Sequence, residues 1–163
     1  MILDNNLILA GAVSAAGVVT GQAFNGAGNI LGQNTIDLAP LALGGNQAGD
    51  TGQGEAQAIE FSIITAPTVG TNVQFQLIQA DDAALSVNVQ VIIQTDAFAI
   101  AVLPAGTLVP LHWDRAAPYP PKRYVGVRVV NTGAIATLSV FAAVVKNVQD
   151  AKNIYFKSGF AIV

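Results

Sequence analysis

The chain has 163 residues, no cysteine, 10% charged residues and 52% hydrophobic ones. That length predicts one domain holding a core without staples, and the missing thiols exclude disulfides and thiolate metal sites. The first basic residue is Arg115, so the chain is net −9 before it and +6 from it onward, −3 as a whole; a net-negative chain is a poor nucleic-acid binder.

In chain order, Leu7–Val19 is the longest apolar-looking run, but Gly11, Ser14 and Gly17 break it. It is shorter than the roughly 20 residues a membrane helix needs. Asp4 stands where a signal peptide would carry a basic residue, so neither a membrane span nor secretion is expected. Eleven of the 16 glycines lie in residues 1–54, which predicts extended segments joined by Gly-rich loops. Asn25-Gly26 is a turn signal, and residues 44–54 read as a loop too polar and glycine-rich to pack.

After that loop, apolar residues alternate with polar ones. Ile59, Phe61 and Ile63 form one set, and Val73, Phe75 and Leu77 the next. Val87, Val89, Val91 and Ile93 follow, then Val125, Val127 and Val129, then Leu138, Val140 and Ala142. Turn chemistry separates them at Pro67–Gly70, Asp81-Asp82, Pro104–Gly106 and Asn131-Thr132-Gly133. Short strands at regular spacing predict an all-β antiparallel fold, a sandwich or a barrel, in one domain over 1–163. The polar positions are Gln, Asn, Ser and Thr rather than Lys and Glu, which predicts outer sheet faces sheltered by other chains.

Little here suggests catalysis. His112 is the one histidine, and a general base needs a partner and a reacting group within reach; a strand-end histidine with a satisfied hydrogen bond is the simpler expectation. No Gly-x-Ser-x-Gly elbow occurs. Asp81-Asp82 suits a turn better than a calcium ligand pair. Gly26-Ala27-Gly28 and Gly52-Gln53-Gly54 lack the Lys-Ser/Thr and the strand-to-helix setting of a phosphate loop. No enzyme activity, metal or cofactor is expected. Arg115, Lys122, Arg123 and Arg128 stand near Trp113, Tyr119 and Tyr124, with Pro118, Pro120 and Pro121 stiffening the loop. Pairing of these cations with carboxylates of another chain is expected over nucleic-acid binding. Residues 153–163 concentrate Ile154, Tyr155, Phe156, Phe160, Ile162 and Val163. So much apolar surface at a terminus predicts an arm docked on a neighbour, with Tyr155, Phe156, Phe160 and Ile162 as contacts.

Four stretches, taken together and in order, resemble a known family. They are Met1–Asp4, Asn34–Leu38, Leu103–Thr107 followed by Lys122–Val127, and Val145–Asp150 with Tyr155 and Ser158–Val163. The chain so resembles the Bordetella-phage-type capsid cement (decoration) proteins of tailed bacteriophages over nearly its whole length. Residues 11–32 and 39–56 are longer and richer in Gly than the family's pattern. The resemblance implies a jelly-roll-like sandwich on the outer surface of an icosahedral head, part of the virion. Its implied partners are the major capsid protein and its own copies, as a dimer or trimer at capsid symmetry axes. A different class, a carbohydrate-binding jelly roll of lectin or tail-fibre type, would draw on Trp113, Tyr119 and Asp114.

Overall fold

The computed structural model describes residues 5–38, 57–113 and 122–145. The N-terminal stretch, its apolar run broken by glycines, yields only short strands. These are β1 (Ile8–Ala10), β2 (Ala12–Val13), β3 (Val19–Thr20), β4 (Gln22–Ala23), β5 (Gly26–Leu31) and β6 (Ile36–Asp37). Where β-branched and aromatic residues recur at period two, β7 (Gln57–Thr68), β8 (Asn72–Ala80), β12 (Tyr124–Ile135) and β13 (Thr137–Val145) are long, while β9 (Gln90–Gln94), β10 (Phe98–Ala99) and β11 (Leu108–Trp113) between them stay short. Helix among the described residues is limited to two three-residue 3-10 turns, Asn5–Leu7 and Ile100–Val102.

The strands form two antiparallel sheets packed as a sandwich. The first runs β1–β13–β7–β11, with β4 continuing the β1 edge along β13. The second runs β10–β8–β12–β5, with β9 beside β10 along β8 and β6 beside β5 along β12. Each sheet is therefore four strands wide, with split outer strands. A small β2–β3 ladder stands apart.

The two sheets share one spine. β7 pairs with β13 from Ala58↔Val145 to Thr68↔Thr137. The same two chain segments continue as β8 and β12, paired from Asn72↔Thr132 to Ala80↔Tyr124. A single two-stranded ribbon thus folds over on itself, and its halves become the centres of opposite sheets. The corner is tied by Thr71 N donating to the Thr132 carbonyl and Ala136 N to the Thr68 carbonyl, both at 2.8 Å. Thr68 Oγ1 meets Thr137 Oγ1 at 2.7 Å. The bend requires Val69 (φ 60°) and Gly70 (φ 83°) in the left-handed region. A Cβ on Gly70 would overlap the buried Ile135 side chain.

The core lies between the halves of the ribbon. Ile59, Phe61, Ile63, Val140, Ala142 and Val144 enter from the first sheet, and Val73, Phe75, Leu77, Val125, Val127 and Val129 from the second. Phe61 and Phe75 meet across the interface with ring centroids 5.0 Å apart, tilted by 43°. Asn131 follows Val129 in the inward row of β12. Its buried amide donates to the carbonyls of Phe24 (2.8 Å) and Gly26 (3.0 Å), holding the N-terminal segment over the end of the core.

Two sequence expectations differ in detail. The alternation Val87–Ile93 does not form one strand. The Val87 amide is held by Asp82 and Asn88 adopts φ 50°, so pairing begins only at Gln90. A register shift then puts Val91 outside, opposite Ile78, and Ile93 inside, opposite Leu77. Asn131-Thr132-Gly133 is not a turn either: β12 runs through it with an irregularity at Gly133 (φ 80°), and the change of sheet falls at Ala136. The 44–54 loop and the 153–163 arm lie outside the described residues.

Candidate interaction surface

Because side chains alternate across a strand, the second sheet turns Gln74, Gln76, Ile78 and Ala80 of β8 outward, with Tyr124, Gly126, Arg128 and Val130 of β12 beside them. This face has two halves of opposite character.

One half is apolar and covered by the chain itself. Ile78 and Ala80 are fully buried beneath Leu85, which belongs to the loop between β8 and β9 and packs with Leu31, Val89, Val91 and Tyr124 around it. Leu85 rests directly on Gly126, where a Cβ would displace it. Asp82 shapes the loop. Its Oδ1 accepts from the Ser86 and Val87 amides (2.8 Å each), and its Oδ2 from the Ser86 hydroxyl (2.7 Å). Asp81 accepts from Asn88 Nδ2 (2.7 Å) and pairs with Lys122 Nζ (2.8 Å). Both carboxylates organise a turn.

These hydrogen bonds hold the acids below the ordinary 3.8, Asp81 mainly through Lys122 and Asp82 mainly through the Val87 amide. A depressed folded-state value means the contribution is complete above the unfolded value and is lost as pH falls through the folded one. Hydrogen exchange, corrected for intrinsic rate, should therefore show the Ser86 and Val87 amides protected above about pH 5 and opening below the ordinary carboxylate value. Asp82→Asn should open them at neutral pH, while β12 amides stay protected.

The other half is paved with amides. Arg128 Nε donates to Gln76 Oε1 (2.6 Å), Gln76 Nε2 donates to Gln94 Oε1 (2.8 Å) and Gln74 Oε1 (3.2 Å), and Gln74 Nε2 donates to the Thr95 carbonyl (2.8 Å). The chain of donors crosses β12, β8 and β9. Partial burial draws the Arg128 guanidinium below its ordinary value, yet an arginine remains a cation there.

The sequence-predicted contacts separate under this geometry. Arg123 makes a two-pronged pair with Asp37, Nε to Oδ1 and Nη2 to Oδ2 at 2.9 Å each, and its guanidinium carbon lies 5.0 Å from the Tyr124 ring centroid. Asp37 raises its pKa. Lys122 and Arg123 thus fasten the β8–β9 loop and β6 to the start of β12. Arg128 keeps both terminal nitrogens without a carboxylate among the described residues. Arg115, Tyr155, Phe156, Phe160 and Ile162 lie outside the described residues, as do Asp114, Tyr119 and the Trp113 side chain. His112 is exposed on β11, in register with Ala58. The glutamines of the floor were visible in the sequence only as the polar partners of an alternating strand. That Gln76, Gln94 and Arg128 line up depends on register.

The outer face of the first sheet differs again. Ile8, Phe141 and Ala143 form a buried apolar cluster there, with Val13 packed against it. Glu60, 6% exposed, is in register with Ala143 and Pro110.

No protein-family model matches this chain, and no curated protein matches it.

Proposed function

We propose that the protein is a non-catalytic capsid cement, or decoration, protein that binds the outside of an assembled phage head and stabilises contacts between major capsid protein subunits. The order of the resembling stretches suggests the role. The observation that carries it is the amide half of the second sheet's outer face: short of Lys and Glu, with one arginine among hydrogen-bonded glutamines. Interface cores have that composition, depleted in charge but enriched in Arg, whereas ordinary solvent-facing sheet does not. The amides already satisfy one another, so covering them leaves few polar groups unmet.

Cementing then acts by mass action. A ligand that binds only the assembled shell stabilises each site by about 2.7 kcal/mol at a hundredfold excess over Kd, and a repeating lattice multiplies that contribution.

The test adds purified protein to heads stripped of it, reading co-sedimentation and the temperature at which the shells open. Saturable binding and a higher opening temperature are expected, with His112→Ala indistinguishable from the parent and Arg128→Glu weaker. No binding at saturating protein overturns the proposal. Binding to a glycan array in place of shells would replace it with the carbohydrate reading.

A further inference from the structure

The three basic side chains among the described residues are held in different ways. Lys122 is paired with Asp81 and Arg123 with Asp37. Arg123 meets its carboxylate side-on, through Nε and Nη2. Arg128 makes one side-chain hydrogen bond among the described residues, from Nε to the neutral Gln76 Oε1 at 2.6 Å. That bond occupies the side edge of the guanidinium and leaves the end-on fork of Nη1 and Nη2 open.

Gln76 holds this arrangement in place. Its Nε2 donates to Gln94 Oε1 (2.8 Å) and Gln74 Oε1 (3.2 Å), so its carbonyl oxygen is the end that faces β12. Gln74 is tied in turn to the Thr95 carbonyl (2.8 Å), and Thr95 to β8 through its amide and hydroxyl. Gln76 is buried and Arg128 half-buried. The relay is therefore sheltered, while the head it orients stays within reach of another molecule.

We infer that Arg128 is a preset receptor for one carboxylate, an Asp or Glu side chain of the major capsid protein that enters end-on between Nη1 and Nη2, with Gln76 as the residue that positions it. The inference rests on the cement reading and names the group that the amide face meets. When a partner covers this face, water leaves, and a cation buried without a counter-charge becomes costly. The shell must therefore bring an anion. The two oxygens of a carboxylate match the two nitrogens of the fork. A phosphate fits the fork too, but its further charge would meet this one cation with Asp96 exposed two residues beyond Gln94, so a single carboxylate is the better match.

The experiment is co-sedimentation of the full chain with stripped heads over a concentration series. Arg128→Gln should bind about tenfold or more weaker than the parent, the usual loss for a hydrogen bond to a charged group. Its affinity should also respond less to salt between about 0.01 M and 0.15 M, where the screening length shortens from about 30 Å to about 8 Å. Arg128→Lys keeps the charge without the fork and should fall between the two. Gln76→Glu sets a carboxylate against Arg128 within the chain. It should weaken binding while Tm stays at or above the parent's; a merely structural role for Gln76 would lower both together. Finally, Arg128→Lys bound to heads and treated with a carbodiimide should become joined at position 128 to an Asp or Glu of the major capsid protein, read by mass spectrometry of the linked peptides. Near-ultraviolet circular dichroism checks that each variant is folded. If the parent binds but Arg128→Gln binds equally well, Gln76→Glu keeps full affinity, or position 128 joins no capsid carboxylate, the inference is overturned and the cement reading stands. A parent that does not bind overturns both.

Discussion

Replacing Phe75 by alanine will remove about 3–5 kcal/mol of stability, the usual cost of deleting a buried aromatic ring. Phe75 is fully buried at the centre of the sandwich. It touches Phe61 of the opposite sheet at 5.0 Å between centroids and Phe98 of β10 at 6.3 Å. Its loss therefore leaves a cavity where the two sheets meet, and the stiff strands on either side cannot collapse into it. For a domain of this size each kcal/mol is about 2–4 °C of Tm, so the melting temperature should fall by roughly 6–20 °C. Phe75→Leu fills most of the space and should recover more than half of the loss. If Phe75→Ala melts within a degree or two of the parent, the sandwich core is not where the structure puts it.

Gly70→Ala should be nearly as damaging, for a different reason. An L-residue in the left-handed region costs roughly 1–2 kcal/mol, and the new Cβ must also displace Ile135, which is buried at the ribbon corner. Overpacking of that kind costs typically 1–3 kcal/mol more. Gly106→Ala is the internal control. Its φ is 88°, but nothing lies within 4 Å of the added carbon, so only the conformational part remains. The adjacent Val69 gives the opposite sign. It is 66% exposed, β-branched and held at φ 60°. Two positive φ values in succession are the pattern that favours Asn-Gly, so Val69→Asn should stabilise by about 1 kcal/mol. Chemical denaturation of the four proteins ranks them; Gly70→Ala equal to Gly106→Ala would mean that the corner is not crowded.

What the sequence made legible, and what it did not, follows from the range of the interactions. Val125, Val127 and Val129 announce their strand and their buried face because alternation is a local property. The bulge that turns Val91 and Ile93 to opposite faces is invisible locally, since it is set by how β9 meets Leu77 and Ile78. Asn131-Thr132-Gly133 carries turn chemistry, yet pairing with β8 as far as Thr132 and with β5 on either side of Gly133 carries the strand through it with a register shift. The charge segregation shows the same limit. Acids before Arg115 and bases after it suggest two poles, but antiparallel pairing brings Asp37 to Arg123 and Asp81 to Lys122 across 86 and 41 residues. For these pairs, separation along the chain becomes contact in space. Arg128 stands apart for the same reason: register gives it glutamine where its neighbours meet aspartate.

The folded ribbon also sets when this protein can become itself. Every rung of its spine joins residues far apart in order of synthesis, from Ala80 and Tyr124 at one end to Ala58 and Val145 at the other. At about 5–20 residues per second on the ribosome, β7 emerges several seconds before β13 exists to pair with it. The first sheet has no centre until then and the second none until β12 is made, and topologies dominated by such distant pairings are slow to fold in any case. Through that interval Ile59, Phe61 and Ile63 stand on an unpaired edge, the arrangement most prone to joining the wrong neighbour. The chain therefore meets its main hazard during synthesis, and slowing translation or lowering the temperature of expression should raise the soluble yield before any change to the mature fold does.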